Sequence, residues 1–253
     1  MTTTRGGRVR IAAVSAASAL ALAGVLGGCS SGSDADSGSA EIATGTAAAT
    51  AGAAAQAGPE ELRALLPEQA AFGAGFVAAP VTTAQLEATL NQVRDKAKTQ
   101  VVDPADCKDT LDLTAGLDPA ATAMVAAGNE DQGTKIGVIV SRDDTSLDAF
   151  RSSLDRCGTV TVQVDGTTTD VTTEGFAPAG ATGEEPLGIT RTQSVGDAGN
   201  VTTILTAEEV DGTAIRVMVH QPSTEALTPE VLDHFRQTAA TLMNDTATRV
   251  AQK

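Results

Sequence analysis

The 253-residue sequence contains no Trp and no Tyr, and only five Phe. Sugar-stacking platforms and surfaces for single-stranded nucleic acid depend on exposed rings, so this composition argues against both. Positive charge is also scarce: 17 Lys and Arg against 32 Asp and Glu give a formal net charge of −15. A chain this acidic gains nothing from phosphate backbones, so no nucleic acid is expected among its partners. The two histidines, His220 and His234, have no neighbouring ligands at metal-binding spacing and read as surface or strand-rim residues. The adjacent acids Asp143-Asp144 and Glu184-Glu185 point apart, which suits a helix cap and a solvated loop better than a calcium site. No G-x-S-x-G, P-loop, H-E-x-x-H or complete G-x-G-x-x-G occurs. The expectation is a non-enzyme without cofactor or metal, its core built mainly from Ala, Val, Leu and Ile.

Long apolar runs are missing as well. The longest, Ile11 to Leu26, is short of the ~20 residues that a spanning helix needs. Arg5, Arg8 and Arg10 precede it as a basic n-region, so the run reads as the h-region of a signal peptide. It ends in Leu26-Gly27-Gly28-Cys29, which resembles the bacterial lipobox. The resemblance implies cleavage after Gly28 and a diacylglyceryl group on Cys29. A conventional secretory signal or a short anchor helix is the alternative. Residues 1–28 hold three arginines and no acid, so removing them takes the charge from −15 to −18. Such a surface gets no electrostatic help from an anionic leaflet. Lipid would therefore do the anchoring, at about 0.8 kcal/mol per buried CH₂.

Residues 29–57 form a Ser, Ala, Thr and Gly linker with one strongly apolar residue, Ile42, too few to offset chain entropy. It reads as a flexible tether, with O-glycosylation of the Thr-rich part as the alternative. From residue 58 the composition becomes that of a single domain of roughly 190 residues. "PEELRALLP" and "TTAQLEATLNQVRDKA" predict two helices, the second with a capping box at Thr82 and Gln85 and a row of Leu86, Leu90, Val93 and Ala97. "PAATAMVAAG" and "TKIGVIVSR" predict a hairpin, and "DDTSLDAFRSSLDRC" a helix capped by Asp144 or Thr145.

Five further strands follow, turning at Gly166, at "VGDAG" and at Asp211-Gly212. Their alternation predicts one covered face and one wetter face. A helix from Thr228 closes the chain, with Leu227, Val231, Phe235, Ala239 and Leu242 as its stripe. The fold class is α+β: an antiparallel sheet of about five to seven strands flanked by helices, with the C-terminal helix packed on it. Between two of the strands, Glu174 to Gly188 reads as a long structureless connection. Phe176, Glu184 and Glu185 in it are the candidate binding residues, although Phe176 also suits a core position.

With Cys29 assigned to lipid, Cys107 and Cys157 remain, and an exported chain meets oxidising conditions in which such thiols pair. Two buried free thiols are the alternative. The lipobox, the tether, "LLPEQAAFGAGF", "PADCKDTLD", "SRDDTSLDAFRSSLDRCGTVTV" and the final "QTAATLMNDTATRVAQK" together resemble a group of actinobacterial cell-envelope lipoproteins. In pattern these are similar to the extracellular sensor domain of mycobacterial PknH-type kinases. The resemblance implies a helix-flanked sheet with a cleft, a disulfide, and a binding or sensing role at the outer face of the cell membrane. The partner would be an envelope ligand or protein. The alternative function is carriage of a lipid or other apolar molecule in a cavity between sheet and helix.

Overall fold

In the computed structural model, the nine strands among the described residues all pair antiparallel within one sheet. They are β1 (Val77–Val81), β2 (Val101–Asp103), β3 (Thr122–Asn129), β4 (Thr134–Ser141), β5 (Thr159–Val164), β6 (Thr167–Phe176), β7 (Glu184–Ser194), β8 (Asn200–Val210) and β9 (Thr213–Ser223). Across the sheet their order is β1-β3-β4-β9-β8-β7-β6-β5-β2. The structure describes residues 60–142, 148–164, 166–195 and 199–253. The segments read as signal peptide, lipobox and linker, together with Cys29 and the Asp143-Asp144 pair expected to cap a helix, lie outside the described residues. No helix among the described residues is long and apolar enough to cross a membrane.

The five to seven strands expected become nine, and all seven segments read as strands are present. The two additions, β1 and β2, are the edges of the sheet. They have five and three residues, with Val77 and Val101 exposed at 72% and 63%. Segments so short and half-wet have no readable alternation, and β1 contains Pro80, a residue confined in sheets to edges and bulges.

Turn chemistry sets the central register. Asp211 and Gly212 both have positive φ, 49° and 69°, as a two-residue I′ turn requires. From there β8 and β9 pair without a break from Val210↔Thr213 to Asn200↔Ser223.

Both faces of the sheet are covered, which corrects the expectation of a wet face. On one face lie α1 (Glu60–Arg63) and α4 (Pro229–Ala251); on the other α2 (Thr83–Thr99), the 3-10 helix Ala105–Leu111 and α3 (Asp148–Ser153). Ile215, Val217 and Val219 of β9 join Leu62, Leu242 and Met243 in the first core. Met218, between them in sequence, joins Leu86, Leu90 and Leu205 in the second. The alternation was real, but the polar side of it is roofed by the second helical layer.

The capping box of α2 is present, with Thr82 N–H donating to Gln85 Oε1 (2.9 Å) and Gln85 N–H to Thr82 Oγ1 (3.2 Å). Thr228 caps α4, and Pro229 occupies its first turn. The buried face of α4 runs through Ala239, Leu242, Met243, Ala247 and Val250. Val231 of the expected stripe is exposed instead, and Leu232 with Phe235 begins the packing. Cys107 and Cys157 are joined, with Cα atoms 5.5 Å apart, inside a third cluster with Val102, Val160, Val162 and Val171.

Candidate functional site

Under the second layer, polar residues of five strands line up. The register places Thr173 opposite Arg191, Arg191 opposite Thr203, Thr203 opposite His220, and His220 opposite Lys135. Directly opposed residues share a face, so β6, β7, β8, β9 and β4 contribute one continuous polar row. It borders the apolar row Ile189, Leu205 and Met218 of the core beside it.

Over this row lies a cavity of about 150 Å³. Its floor includes Val162, Val171, Arg191, Gln193, Thr203, Met218 and His220. Its roof is the last turns of α2, with Val93, Lys96 and Ala97, and the segment from Lys108 to Thr114. The helical row read from the sequence thus splits, Leu86 and Leu90 going to the core and Val93 and Ala97 to the cavity wall.

Arg191 is 4% exposed. Its Nε donates to Thr173 Oγ1 at 3.3 Å, Nη1 to the Leu111 carbonyl at 2.7 Å and Nη2 to the Thr110 carbonyl at 2.8 Å. Arg216, also buried, reaches the Leu113 carbonyl through Nη1 at 3.3 Å. Two guanidiniums rising from the sheet therefore hold the roof segment in place by its carbonyls. The guanidinium of Arg191 also lies 5.8 Å from the Phe150 ring centroid.

Burial dominates the electrostatics of both arginines. Desolvation brings Arg191 down to about 10 and also lowers Arg216, with the charge of Asp112 opposing the shift in each case. Asp112 is engaged locally, its Oδ1 accepting from Thr114 N–H (2.9 Å) and Thr114 Oγ1–H (2.6 Å). Among the described residues no carboxylate lies within the 4.0 Å ion-pair distance of Arg191.

His220, expected at a surface or rim, is 9% exposed and lines the cavity. Desolvation, with Lys135 next to it adding a second push, lowers its pKa to about 4. It is therefore neutral at pH 7, and its Nδ1 lies 3.4 Å from Thr203 Oγ1. The other histidine, His234, is exposed on α4. No group of three or more His, Cys, Asp or Glu among the described residues could hold a metal ion.

The binding residues read from the sequence lie elsewhere and are not brought together. Phe176 packs against the α4-side core, with the Arg236 guanidinium 5.0 Å from its ring centroid. Glu184 stands opposite Glu209 beside the irregularity in the β7–β8 pairing. Glu185, at φ 46°, pairs with Arg151 at 2.8 Å. Nor is Glu174 to Gly188 structureless: β6 runs to Phe176 and β7 starts at Glu184, leaving 177–183 as the connection. That short segment is tied down. Buried Glu208 accepts from the N–H groups of Thr182 (3.1 Å) and Gly183 (2.7 Å), and Asn244 of α4 donates to the Ala179 carbonyl (2.9 Å).

Sequence reasoning missed Arg191, Gln193, Thr203 and His220 as a group. Each occupies an alternate strand position that reads as solvent-facing until the roof is known.

No family model and no curated protein matches the chain. Solved structures similar to it include the following two. One is the extracellular domain of PknH from Mycobacterium tuberculosis, 14% identical with a TM-score of 0.45, covering 79% of this chain and 100% of that one. It is of the kind the sequence resembles. The other is an uncharacterised protein from Mycobacterium smegmatis, 16% identical with a TM-score of 0.39, covering 76% of this chain and 94% of that one. Likeness this distant carries nothing about ligand, partner or activity.

Proposed function

We propose that the chain is an extracytoplasmic lipoprotein, anchored through lipid on Cys29, whose domain of residues 58–253 binds a small envelope ligand in the roofed cavity. The observation that carries this reading is the polar row beneath the second layer. On this face Arg191, Gln193, Thr203 and His220 border open space under the roof. Desolvating such groups costs free energy that a bound ligand would offset. The volume suits a molecule well below the 300–1,000 Å³ of drug-sized sites.

Anchoring is tested by fractionating cells that express the chain or its Cys29→Ser variant. The wild type should sediment with membranes and the variant should appear in the soluble extracytoplasmic fraction; equal distribution would remove the lipid anchor from the proposal.

One observation supports the carrier reading. A groove of about 520 Å³ between residues 71–76 and α4 is lined by Phe72, Phe76 and Phe235, three of the five Phe. Asn129, Gln132, Gln237 and Thr238 share that lining, and the groove opens to solvent, which is a poor shelter for an acyl chain. Native mass spectrometry of the protein purified from its own host separates the readings: co-purified lipid supports carriage, and an adduct of small mass supports the cavity.

A further inference from the structure

Arg191 presents an imbalance that the fold leaves standing. A guanidinium has five N–H donors, of which three are taken by Thr173, Leu111 and Thr110. Those partners are neutral oxygens. A buried cation with no carboxylate in ion-pair contact is costly, and the charge of Asp112 offsets only part of that cost. Two neutral donors, for example a pair of side-chain amides, could hold the roof carbonyls without that cost. The charge itself calls for a counterpart, and the cavity is where one can sit.

Two further observations point the same way. Three cations, Lys96, Lys108 and Arg191, and one carboxylate, Asp112, line the cavity, with His220 neutral, in a chain whose net charge is −15. Cations are concentrated here against the overall composition. The second observation is Gln193, whose Oε1 is buried in the same lining with no hydrogen-bond partner among the described residues. A buried amide oxygen without a partner is rare in native structures, and a ligand hydroxyl or N–H would satisfy it.

The rest of the lining limits what the anion can be. Leu113, Val162, Val171 and Met218 are apolar, which suits a hydrocarbon body and wastes the outer oxygens of a phosphate. A cavity of about 150 Å³ is one that accommodates a ring the size of benzene.

We propose that the cavity binds a small carboxylic acid in its ionised form, the carboxylate on the Arg191 guanidinium and the apolar body against Val162, Val171 and Met218. This rests on the cavity being the ligand site. Polar substituents on the body would meet Gln193 and Thr203.

The test is calorimetric titration of the full chain with benzoate, with benzyl alcohol as its uncharged counterpart, and with inorganic phosphate. Benzoate should bind one to one and at least about tenfold more tightly than benzyl alcohol, as a charge-assisted hydrogen bond predicts. Arg191→Met should reduce benzoate to the affinity of benzyl alcohol, and its thermal midpoint should fall because the Thr110 and Leu111 carbonyls lose their donor. Val162→Phe, which fills the cavity and leaves Arg191 in place, should abolish binding of both organic probes; it keeps the test valid should Arg191→Met fail to fold. Equal affinity for benzoate and benzyl alcohol, with both lost in Val162→Phe, would overturn the carboxylate assignment and leave the cavity as a ligand site. Binding of phosphate alone would overturn the apolar body. Binding of none of the three probes, or organic binding untouched by Val162→Phe, would overturn the cavity reading itself.

Discussion

Reducing the Cys107–Cys157 bond probes how the cavity roof is held to the sheet. The bond is 50 residues wide in sequence and encloses β3, β4 and α3. By the chain-entropy relation for a loop of that length, its loss destabilises the fold by about 4 kcal/mol. The surroundings make reduction the cleaner perturbation. Both sulfurs sit among Val102, Val160, Val162 and Val171, so truncating the cysteines would add a cavity penalty, whereas reduction keeps both side chains in place. The 3-10 helix Ala105–Leu111 carries Cys107 and ends at Leu111, whose carbonyl accepts from Arg191. Loss of the bond should therefore loosen the roof as well as the fold. For a domain of this size, 1 kcal/mol corresponds to roughly 2–4 °C, so the thermal midpoint should fall by on the order of 10 °C. Without Trp or Tyr, intrinsic fluorescence gives little signal, so far-UV circular dichroism in urea, with and without a phosphine reductant, is the appropriate assay. A loss below about 1 kcal/mol, with both thiols titrated as free, would refute the entropic account.

Three other outcomes follow from particular contacts. His220 is depressed from 6.5 to about 4, so on acidification the unfolded chain takes up its proton first; stability is fully present above pH 6.5 and is lost as the pH falls toward 4, by on the order of 3 kcal/mol. The urea midpoint of His220→Gln should vary less over that window than the wild type's, and identical slopes would refute the assignment. Glu208→Ala removes the acceptor of two backbone N–H groups at Thr182 and Gly183 and should cost about 2–3 kcal/mol in chemical denaturation, with Glu208→Gln costing roughly half that. In Gly188→Ala the new Cβ would stand 2.6 Å from the Phe176 carbonyl oxygen and 2.7 Å from its ring, so a loss of about 1–3 kcal/mol is expected by calorimetry, and an unchanged midpoint would show that β6 and β7 can separate there.

The sheet was largely legible because its strands are long and its turns chemically marked. Gly166, with φ 80°, and Asp211-Gly212 fixed where the chain reversed. What escaped was whatever depends on a partner outside the strand itself. β1 and β2 become strands only because Gly128 to Met124 and Gln163 to Thr161 offer them ladder partners. Val231 reads as part of an α4 stripe by periodicity, yet it lies before the point at which that helix reaches the sheet. The depth of Glu208 is equally invisible in "TAEEV", since it is the tie to the 177–183 segment that buries it.

The cavity floor marks the boundary between what turns determine and what packing determines. Counting back equal distances from Asp211-Gly212 puts Thr203 opposite His220, and the same count from the pair Ser194↔Asn200 puts Arg191 opposite Thr203. Register follows from turn type and loop length, so the polar row was computable from the sequence. Its meaning was not, because three polar residues in a row across a sheet ordinarily face water. Covering them required α2 and the 105–114 segment to fold back over the far half of the sheet, and the pairing of Cys107 with Cys157 is the sequence feature that draws that segment to β5. Taken together, register and disulfide would have placed Arg191 under a roof, and a roofed arginine in a chain this acidic is the feature that directs attention to an anionic ligand.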